Sequence, residues 1–325
     1  MIVPRYWAEA RIQRRDGRRE VTVRRFGWSD ASPEEAQRNA NQRAEEAIAA
    51  ILSGQWLPRR DLKRAYNGSA GVPIREEIVA SIDSVRITRN AYGALCLNTP
   101  DVLFGDLDFA VGPPPLLIVI TALGLFIMFA SMTPGMRPAT RLITGILGTL
   151  VFAGQLAIIR WKIYQLMYGT EEEQALKRIQ KFVERRPDWL LRVYRTPSGL
   201  RILAMHRTFD PQEADVAECF RELKADEVYV RMCLRQNCFR ARLTPKPWRI
   251  GINHHIRPRT TVWPVPPELQ PFRDAWIREY EARSTDFAAC RWIGDYGRGT
   301  IDFRVRTVQE LHDRLSHANT ELPLA

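Results

Sequence analysis

The sequence contains few cysteines: five in 325 residues, at positions 96, 219, 233, 238 and 290. An odd number at wide spacing argues against a disulfide framework and favours reduced thiols in a cytoplasmic compartment. The first 20 residues, MIVPRYWAEARIQRRDGRRE, lack the apolar core of a signal peptide, so secretory targeting is not expected. A P-loop, a G-x-G-x-x-G motif and a G-x-S-x-G nucleophile elbow are also missing, which excludes the enzyme classes that depend on them.

Lysine is scarce as well, because only six of the 48 basic residues are Lys and the other 42 are Arg. With 37 acidic residues the net charge is +11, which predicts an anionic partner such as nucleic acid, a nucleotide or an anionic lipid surface. The planar guanidinium suits phosphate recognition, although an arginine-rich genome produces the same bias. The length allows two ordinary domains, and the 45% hydrophobic content is that of a folded protein.

Charged residues are missing from two long stretches. Residues 116–132, LLIVITALGLFIMFASM, carry no charge, and residues 142–159, LITGILGTLVFAGQLAII, are interrupted only by Gln155. Both are at the short end of the length that crosses ~30 Å of hydrocarbon. The alternative is a pair of helices buried in a soluble core. Because a domain of this size has little room for two such segments, the pattern predicts a transmembrane helical hairpin over residues 113–162.

The surroundings of the two stretches agree with this prediction. Their connection, TPGMRPATR, fits a hairpin turn, and the flank RWKIY after the second stretch is typical of a membrane interface. Four glycines permit close helix packing: Gly124, Gly145, Gly148 and Gly154. A hairpin leaves residues 1–112 and 163–325 in one compartment. Positive charges at its tip and base balance, so the missing signal peptide and the free thiols lead us to expect the cytoplasm, at a bacterial-type inner membrane.

The elements around the hairpin predict an α+β fold. In chain order they are a strand (VLFGDLDF), a helix (EEEQALKRIQKFVERR), two strands joined by TPSG (WLLRVYR and LRILAMH), a helix (PQEADVAECFREL) and a strand (EVYVRMC). This β–α–β–β–α–β order is that of a split-βαβ core, ferredoxin-like or RRM-like. The hairpin interrupts the core after its first strand, which is tolerated because loop closure entropy grows slowly with loop length.

The chain is accordingly divided into four regions: an N-terminal α+β region (1–99), the split-βαβ core (100–112 plus 163–250), the hairpin (113–162) and a C-terminal α+β region (251–325). In the first, Asp16-Gly17 predicts a β-hairpin turn, and Ser32-Pro33 predicts the start of a helix that ends near Leu52. YNGSAGVP (66–73) is expected to be a loop. The C-terminal helices and strand are expected to pack, and the tail NTELPLA to fray.

Asp106 and Asp108 lie two residues apart on the first strand of the predicted core, so their side chains share a face. Neighbouring carboxylates suit a hard divalent cation, Mg²⁺ or Mn²⁺. Such pairs commonly serve metal-assisted phosphoryl or nucleotidyl transfer. The alternative is a strand end with two solvated acids.

A second candidate is the turn in RTPSGLR, where Ser198 and Gly199 lie between Arg195 and Arg201. Backbone N–H groups and two guanidinium groups together predict a phosphate-binding turn. The alternative is an ordinary β-hairpin without a ligand.

The stretch 231–255 is densely basic and supplies five further candidates: Arg240, Arg242, Lys246, Trp248 and Arg249. Guanidinium groups beside a Trp suit a phosphate chain and a stacked base, or anionic lipid headgroups. The third alternative is internal pairing with acidic residues. Zinc ligation by Cys233, Cys238 and the adjacent histidines 254 and 255 fits the spacing poorly, so these cysteines are expected to pack. His206 and His312 are expected to be structural.

An acidic D-x-D strand followed by a Ser-Gly hairpin resembles the archaeo-eukaryotic primase and primase-polymerase superfamily. The matching stretches are FGDLDF and SGLRIL, within residues 100–112 plus 163–235. The resemblance implies that Asp106 and Asp108 hold a metal and that Ser198 and Gly199 meet nucleotide phosphates. Arg201 stands where that superfamily has His, and no third acidic ligand is identified. The whole chain also resembles bacterial two-pass membrane proteins, which implies no activity.

Two functions follow as hypotheses. In the first, the chain is a membrane-anchored cytoplasmic protein whose basic α+β domain binds an anionic ligand, such as a lipid headgroup, a nucleotide or nucleic acid. In the second, it is a metal-dependent enzyme of primase-polymerase type that handles nucleotides or nucleic acid with Mg²⁺ or Mn²⁺.

Overall fold

The computed structural model describes residues 3–17, 19–61, 73–109, 112–132, 135, 137–256 and 263–325. The predicted loop 66–73 therefore lies outside the described residues, apart from Pro73. The chain is a mixed α+β protein with several antiparallel strand pairs. It divides into two compact units, Met1–Leu107 with Phe182–Ala325, and Asp108–Lys181. The first unit contains the sheets, and the second contains the apolar helices.

The described strands are β1 (Tyr6–Asp16), β2 (Arg19–Ser29), β3 (Glu77–Ile82), β4 (Val85–Arg89), β5 (Leu95–Thr99), β6 (Phe104–Asp108), β7 (Leu190–Thr196), β8 (Gly199–Ala204), β9 (Phe239–Arg242) and β10 (Arg291–Gly297). The described α-helices are α1 (Pro33–Leu52), α2 (Pro115–Ser131), α3 (Pro138–Tyr168), α4 (Glu171–Glu184), α5 (Ala214–Leu223), α6 (Glu227–Gln236), α7 (Gln270–Ser284) and α8 (Phe303–Ser316). The strands form three sheets with the orders β1-β2, β10-β7-β8-β6 and β3-β4-β5-β9.

The N-terminal hairpin and helix form as predicted. β1 and β2 pair antiparallel over their whole length, and Gly17 takes the left-handed turn conformation with φ +58°. α1 begins at Pro33, and the Ser32 hydroxyl caps it by accepting from the backbone N–H of Glu35 at 3.2 Å. α1 packs closely on β2 at Gly27, where a Cβ would collide with the helix backbone.

The central sheet, β10-β7-β8-β6, contains the three strands that were predicted on either side of the apolar stretches. β7 and β8 form an antiparallel hairpin in which Thr196 lies opposite Gly199, and β6 is hydrogen-bonded to β8. The acidic strand and the Pro-Ser-Gly turn therefore belong to one sheet and to neighbouring strands. β10, from the C-terminal region, pairs antiparallel with β7 at the opposite edge.

The prediction of a strand at EVYVRMC (227–233) is wrong, because these residues lie in α6. The Asp226 side chain caps this helix by accepting from the backbone N–H of Tyr229 at 2.7 Å. Its buried residues recur at helical spacing: Tyr229, Met232, Cys233 and Gln236. A short apolar run fits either a strand or a helix, and here the cap and the spacing of buried residues favour the helix.

The expectation that the tail NTELPLA frays is also wrong. The backbone N–H of Ala288 donates to the carbonyl of Pro323, and the N–H of Ala325 donates to the carbonyl of Ala288, both at 3.0 Å. Leu324 forms a parallel bridge with Ala288. The tail is therefore hydrogen-bonded to the segment that leads into β10.

The sheet β3-β4-β5-β9 holds a buried polar cluster. Glu76, just before β3, pairs with Arg240 of β9 at 2.6 Å and accepts from the hydroxyl of Thr88 at 2.7 Å. Asn98 of β5 is fully buried, and its amide donates to Thr88 at 2.9 Å. These groups are joined by hydrogen bonds, as most buried polar groups are, although Oδ1 of Asn98 has no partner among the described residues.

The second unit contains two apolar helices, α2 and α3, that pack against each other. Within the described residues one helical stretch, Pro138–Glu184, is long and apolar enough to cross a bilayer, and Pro115–Ser131 is a shorter apolar helix. Near the end of α3 the guanidinium of Arg160 donates to the hydroxyl of Thr121 on α2 at 3.4 Å.

Two of the four predicted glycines lie where the helices meet. A Cβ on Gly145 would approach the ring of Phe126 to 2.8 Å, and a Cβ on Gly148 would collide with the ring of Phe129. Phe129 is in turn stacked on Phe152 of α3, with ring centroids 5.8 Å apart. Gly124 and Gly154 have no such neighbour within 4 Å, so only two of the four positions require glycine for the helix contact.

This difference predicts the outcome of two matched substitutions. Both Gly148→Ala and Gly154→Ala raise helix propensity by about 1 kcal/mol, but only the first inserts a methyl group against a packed ring. We expect Gly148→Ala to be less stable than Gly154→Ala by about 1–3 kcal/mol, measured by unfolding the full chain in detergent micelles. Equal stability of the two variants would contradict the described helix contact.

Candidate functional site

One face of the central sheet carries a row of two aromatic and two charged side chains where an aliphatic row is usual. The register places Tyr194 of β7 opposite both Trp292 of β10 and Arg201 of β8. Opposed residues on antiparallel strands point to the same face, and Asp106 of β6 joins them through an ion pair with Arg201. These four residues are referred to as the charged row.

Arg201 lies at the centre of the charged row and is only 2% exposed. Its Nε donates to Oδ1 of Asp106 at 2.8 Å and its Nη2 donates to Oδ2 at 3.3 Å, a bidentate pair. Its Nη1 donates to the carbonyl of Arg242 at 2.8 Å. Burial alone would lower the pKa of Arg201, but the charge of Asp106, the charge of Cys290 and the hydrogen bond to Asp106 together outweigh burial and raise it. The charged guanidinium therefore joins β8 to β6 and to the end of β9.

α8 covers the charged row with a His–Asp pair. Nε2 of His312 is 3.4 Å from Nη1 of Arg201, and Nδ1 is 3.0 Å from Oδ1 of Asp313. Because a guanidinium can only donate, the neutral imidazole accepts at Nε2 and donates from Nδ1 to the carboxylate. The sulfur of Cys290, just before β10, is 3.8 Å from the same Nε2. His312 and Cys290 are both fully buried.

Asp313 is the main acceptor of this cluster. Its carboxylate accepts from the hydroxyl of Tyr194 at 2.6 Å, from Nη2 of Arg192 at 2.9 Å and from the amide of Gln309 at 2.6 Å. Burial by itself would raise the pKa of Asp313. The hydrogen bonds from His312 and Tyr194 and the charge of Arg192 outweigh that effect, so the pKa lies below its ordinary value.

A cavity of about 290 Å³ lies beside α8. All of its lining residues are polar or charged: Gln309, Glu310, Asp313, Arg314, His317, Asn319 and Thr320. Asp313 belongs both to this cavity and to the buried cluster. The connected polar groups therefore extend from Asp106 on β6 to a cavity on α8.

Two basic segments that are distant in sequence meet at the turn between β7 and β8. The Ser198 hydroxyl accepts from Nη2 of Arg249 at 2.6 Å, across 51 residues of sequence. The guanidinium of Arg242 donates to the Thr244 carbonyl at 3.4 Å, while its own carbonyl is held by Arg201. The basic edge is defined here as five residues: Ser198, Arg242, Lys246, Trp248 and Arg249.

Trp248 gives the basic edge an aromatic surface. It is 51% exposed, and the ring of Tyr92 packs edge-on against it with centroids 5.3 Å apart. Nζ of Lys246 lies 5.6 Å from the centroid of the Trp248 ring. Burial raises the pKa of Tyr92 to about 12, so this phenol stays neutral beside the cationic residues.

The structure separates other predicted site residues. Arg195 is exposed on β7 opposite Leu200, and since successive strand residues alternate in direction, it points away from the face of Arg201. Gly199 is buried in the β7–β8 turn, and Asp108 is exposed at the end of β6. Arg240 is buried in its pair with Glu76, which is the internal pairing that the sequence left open.

The surroundings of Asp106 bear on the predicted metal. Both carboxylate oxygens accept from Arg201, so a divalent cation at this carboxylate would have to displace a guanidinium. Among the described residues no group of three or more His, Cys, Asp or Glu side chains is placed to hold a metal ion. The carboxylate oxygens of Asp106 therefore suit the arginine that they already bind better than they suit Mg²⁺ or Mn²⁺.

Sequence reasoning missed the cluster beneath α8. His312 was expected to be structural, and Cys290 and Asp313 were not singled out. The Cys290–His312 contact spans 22 residues and the Tyr194–Asp313 contact spans 119, so no local motif announces them. The one available signal is the polar alternation of Arg192 and Tyr194 along β7, which places two polar side chains on a face that is otherwise packed.

The lowered pKa of Asp313 predicts a pH-dependent effect of Asp313→Asn. At pH 7 we expect the free energy of unfolding to fall by about 2–4 kcal/mol, because buried donors lose a charged acceptor. A carboxyl group whose pKa is lowered on folding stabilises fully above its unfolded value of about 3.9, and this contribution disappears as the pH falls through the folded value. The difference in free energy of unfolding between Asp313→Asn and the wild type should therefore become smaller below pH 4.

The control for this measurement is Asp286→Asn, at an exposed position between α7 and β10. Both variants are unfolded with urea in detergent micelles between pH 3 and pH 7. A stability difference for Asp313→Asn that stays constant over this range would contradict the proposed charge interactions of Asp313.

No family model matches the sequence, and neither a curated protein nor a solved structure matches the chain. The resemblance to primase-polymerases therefore gains no support from relatives. What the chain binds is inferred from its own side chains.

Proposed function

We propose that this chain is a membrane-anchored α+β protein that binds a phosphate-bearing ligand at its basic edge. The observation that carries the proposal is the hydrogen bond between Ser198 and Arg249 at 2.6 Å. It joins the turn of β7–β8 to the segment after β9, and both were predicted independently as phosphate-binding stretches. Two weak sequence signals thus fall on one surface of the folded chain.

Arg242 is the strongest anion-binding group of the basic edge. Its side chain is half-buried, and within the described part of the chain it has no carboxylate within 4 Å. Arg201 fixes its backbone through the carbonyl, so the guanidinium extends from a held position. A partly desolvated arginine without a carboxylate partner gains a charge-assisted hydrogen bond when a phosphate binds.

Membrane anchoring is supported by the two apolar helices. α2 and α3 pack through Gly145 and Gly148 as a helical hairpin does in a bilayer. We propose two spans, residues 113–162, with both flanking parts in the cytoplasm at a bacterial-type inner membrane. Only six residues, 109–114, separate β6 from α2 in the sequence, so the central sheet is tied to the membrane by one of its own strand connections.

The ligand class is set by the shared chemistry of phosphate groups. Phosphate oxygens suit Arg242 and Arg249, and the exposed ring of Trp248 offers a stacking surface for a base. A lipid headgroup supplies the same phosphate without the base. The affinity should fall with added salt in either case, because exposed charges are screened.

A second candidate is the metal-dependent nucleotide enzyme implied by the primase-polymerase resemblance. The strand order β7-β8-β6 favours it, since a split-βαβ unit arranges its first three strands in this way. α6 stands in place of the fourth strand, and Arg201 occupies Asp106. This candidate therefore requires that Arg201 release Asp106 when a nucleotide and a metal bind.

The first test measures phosphate affinity of the full chain in detergent micelles, with tripolyphosphate as the probe. Arg242→Gln should weaken binding about tenfold, because one charge-assisted hydrogen bond contributes about 1.5 kcal/mol. Arg306→Gln, the same charge change at an exposed site on α8, should leave the affinity unchanged. Equal affinities for Arg242→Gln and wild type would contradict the proposed function.

The same variants separate the sources of phosphate. Tighter binding of ATP than of tripolyphosphate, lost in Trp248→Ala, would identify a nucleotide ligand. Displacement of tripolyphosphate by nanodiscs containing phosphatidylglycerol, but not by those of neutral lipid, would identify a lipid headgroup.

The second candidate has its own test. Mn²⁺ binding is measured in the presence of ATP for wild type and for the double variant Asp106→Asn/Asp108→Asn. Saturable binding of Mn²⁺ that disappears in the double variant would support the enzyme. Phosphate binding of the wild type that is indifferent to Mn²⁺, and that is retained in Asp108→Asn, which keeps the Asp106–Arg201 pair, is the result expected from the primary proposal.

A further inference from the structure

Cys290 differs from the other cysteines in the groups around its sulfur. All five cysteines are buried, but Sγ of Cys290 lies 3.8 Å from Nε2 of His312 and 3.4 Å from the hydroxyl of Ser316. The titratable and charged groups that face this cluster come from three elements: His312 and Asp313 of α8, Arg192 and Tyr194 of β7, and Arg201 of β8. The other cysteines have no imidazole in hydrogen-bond contact within the described residues.

Cys290, His312 and Asp313 are arranged like the nucleophile, the base and the orienting group of an activated nucleophile. A thiol needs a base within reach and a third group that orients the base. Here His312 is the base, and its Nδ1 is held by Asp313 at 3.0 Å. Its Nε2 is 3.4 Å from Nη1 of Arg201 and 3.8 Å from the sulfur, so Nε2 takes the thiol proton by giving up its contact with Arg201. Arg201 adds a fixed positive charge on the same side, which favours a thiolate over a thiol.

The electrostatic surroundings act in the same direction. Burial alone would raise the pKa of the Cys290 thiol, but His312 and then Arg201 outweigh burial and lower it below its usual value. Burial raises the pKa of Cys219 and Cys233, and raises that of Cys238 to about 11. Of these four thiols, Cys290 is the one whose pKa is lowered.

The end of the described chain is hydrogen-bonded to the residues on either side of Cys290. Residues 320–325, here named the strap, are hydrogen-bonded to the segment around Cys290: Ala288 pairs with residues 323 and 325 through its backbone, and Nη2 of Arg291 donates to the Leu322 carbonyl at 2.8 Å. On the other side the N–H of Ala289 donates to the carbonyl of Ser316 at 3.0 Å. With Cys290 fully buried, a reagent reaches the sulfur only when this segment opens.

We propose that Cys290 is a thiol-modification site, activated by His312 and Asp313, that reacts with small disulfides when the strap releases the segment before β10. The site rests on the buried cluster alone and does not depend on phosphate binding at the basic edge. The chemistry is thiol–disulfide exchange with a low-molecular-weight disulfide supplied from solution.

The exchange begins with a proton transfer inside the cluster. Nε2 of His312 takes the proton of Cys290, and the thiolate attacks one sulfur of the disulfide. The S–S bond of the reagent breaks as the new S–S bond to Cys290 forms, and the leaving thiolate takes the proton back from His312. Cys290 is oxidised to a mixed disulfide, and one half of the reagent is reduced to a thiol.

The test uses the folded full chain in detergent micelles with 4,4′-dithiodipyridine as the disulfide. Peptide mass spectrometry follows all five cysteines, so that the other four serve as internal controls. At pH 7 Cys290 should react at least about tenfold faster than each of them, because His312 acts as a positioned general base for this thiol alone. Equal rates for all five, as global unfolding would give, or a slower rate at Cys290, would overturn the proposal.

Two variants test whether His312 and the strap determine the reactivity of Cys290. His312→Gln should slow Cys290 about tenfold at pH 7, whereas His254→Gln, which removes an exposed histidine, should not. Deletion of residues 321–325 should speed the reaction at Cys290 and leave the other four rates unchanged. An unchanged Cys290 rate in folded His312→Gln would show that the imidazole does not activate the thiol and would overturn the proposal.

If either variant reacts rapidly at all five cysteines, it is unfolded, and the pH profile of the wild type decides. The Cys290 rate should level off below pH ~8.5, the midpoint of an ordinary thiol. A rate that keeps rising tenfold per pH unit through that value would show an unactivated thiol.

Discussion

The burial of the Arg201 guanidinium is the constraint on which the central sheet depends. A buried cation is tolerated only when its donors are satisfied, and removing one partner of a buried pair typically costs about 3–5 kcal/mol. Arg201 meets this requirement with Asp106 from β6, the carbonyl of Arg242 from the end of β9, and the His312 ring from α8. Four elements from distant parts of the sequence are therefore positioned around one side chain.

The two faces of the central sheet are stabilised by different interactions. On one face Tyr194 and Arg201 are hydrogen-bonded to groups of α8 and β6, which fixes directions as well as distances. On the other face the buried side chains are aliphatic, among them Val193 and Ile202. Gly105 of β6 lies against Ile202, where a Cβ would approach its side chain to 3.0 Å. A polar face that determines geometry is thus backed by an apolar face that supplies burial.

Local sequence patterns predicted the elements that local physics controls. The Asp16-Gly17 turn, the Ser32 cap and the TPSG turn each set a boundary through neighbouring residues. EVYVRMC was assigned incorrectly because a seven-residue segment with five hydrophobic residues fits a strand as well as a helix. The site was predictable only in part: the basic stretches were visible, but the partner of Arg240 is Glu76, 164 residues away. Pairings at such separation follow from tertiary packing, which a single sequence does not display.

The placement of the apolar helices imposes an order on biosynthesis. β6 leaves the ribosome before α2 and α3, and Arg201, the partner of Asp106, follows 95 residues later. At about 5–20 residues per second this delay is roughly 5–20 s. During that time Asp106 has no counterion from β8, and both apolar helices have already left the ribosome. Both apolar helices are consequently complete before the central sheet can close, so the most apolar part of the chain is synthesised while the sheet still lacks β7, β8 and β10.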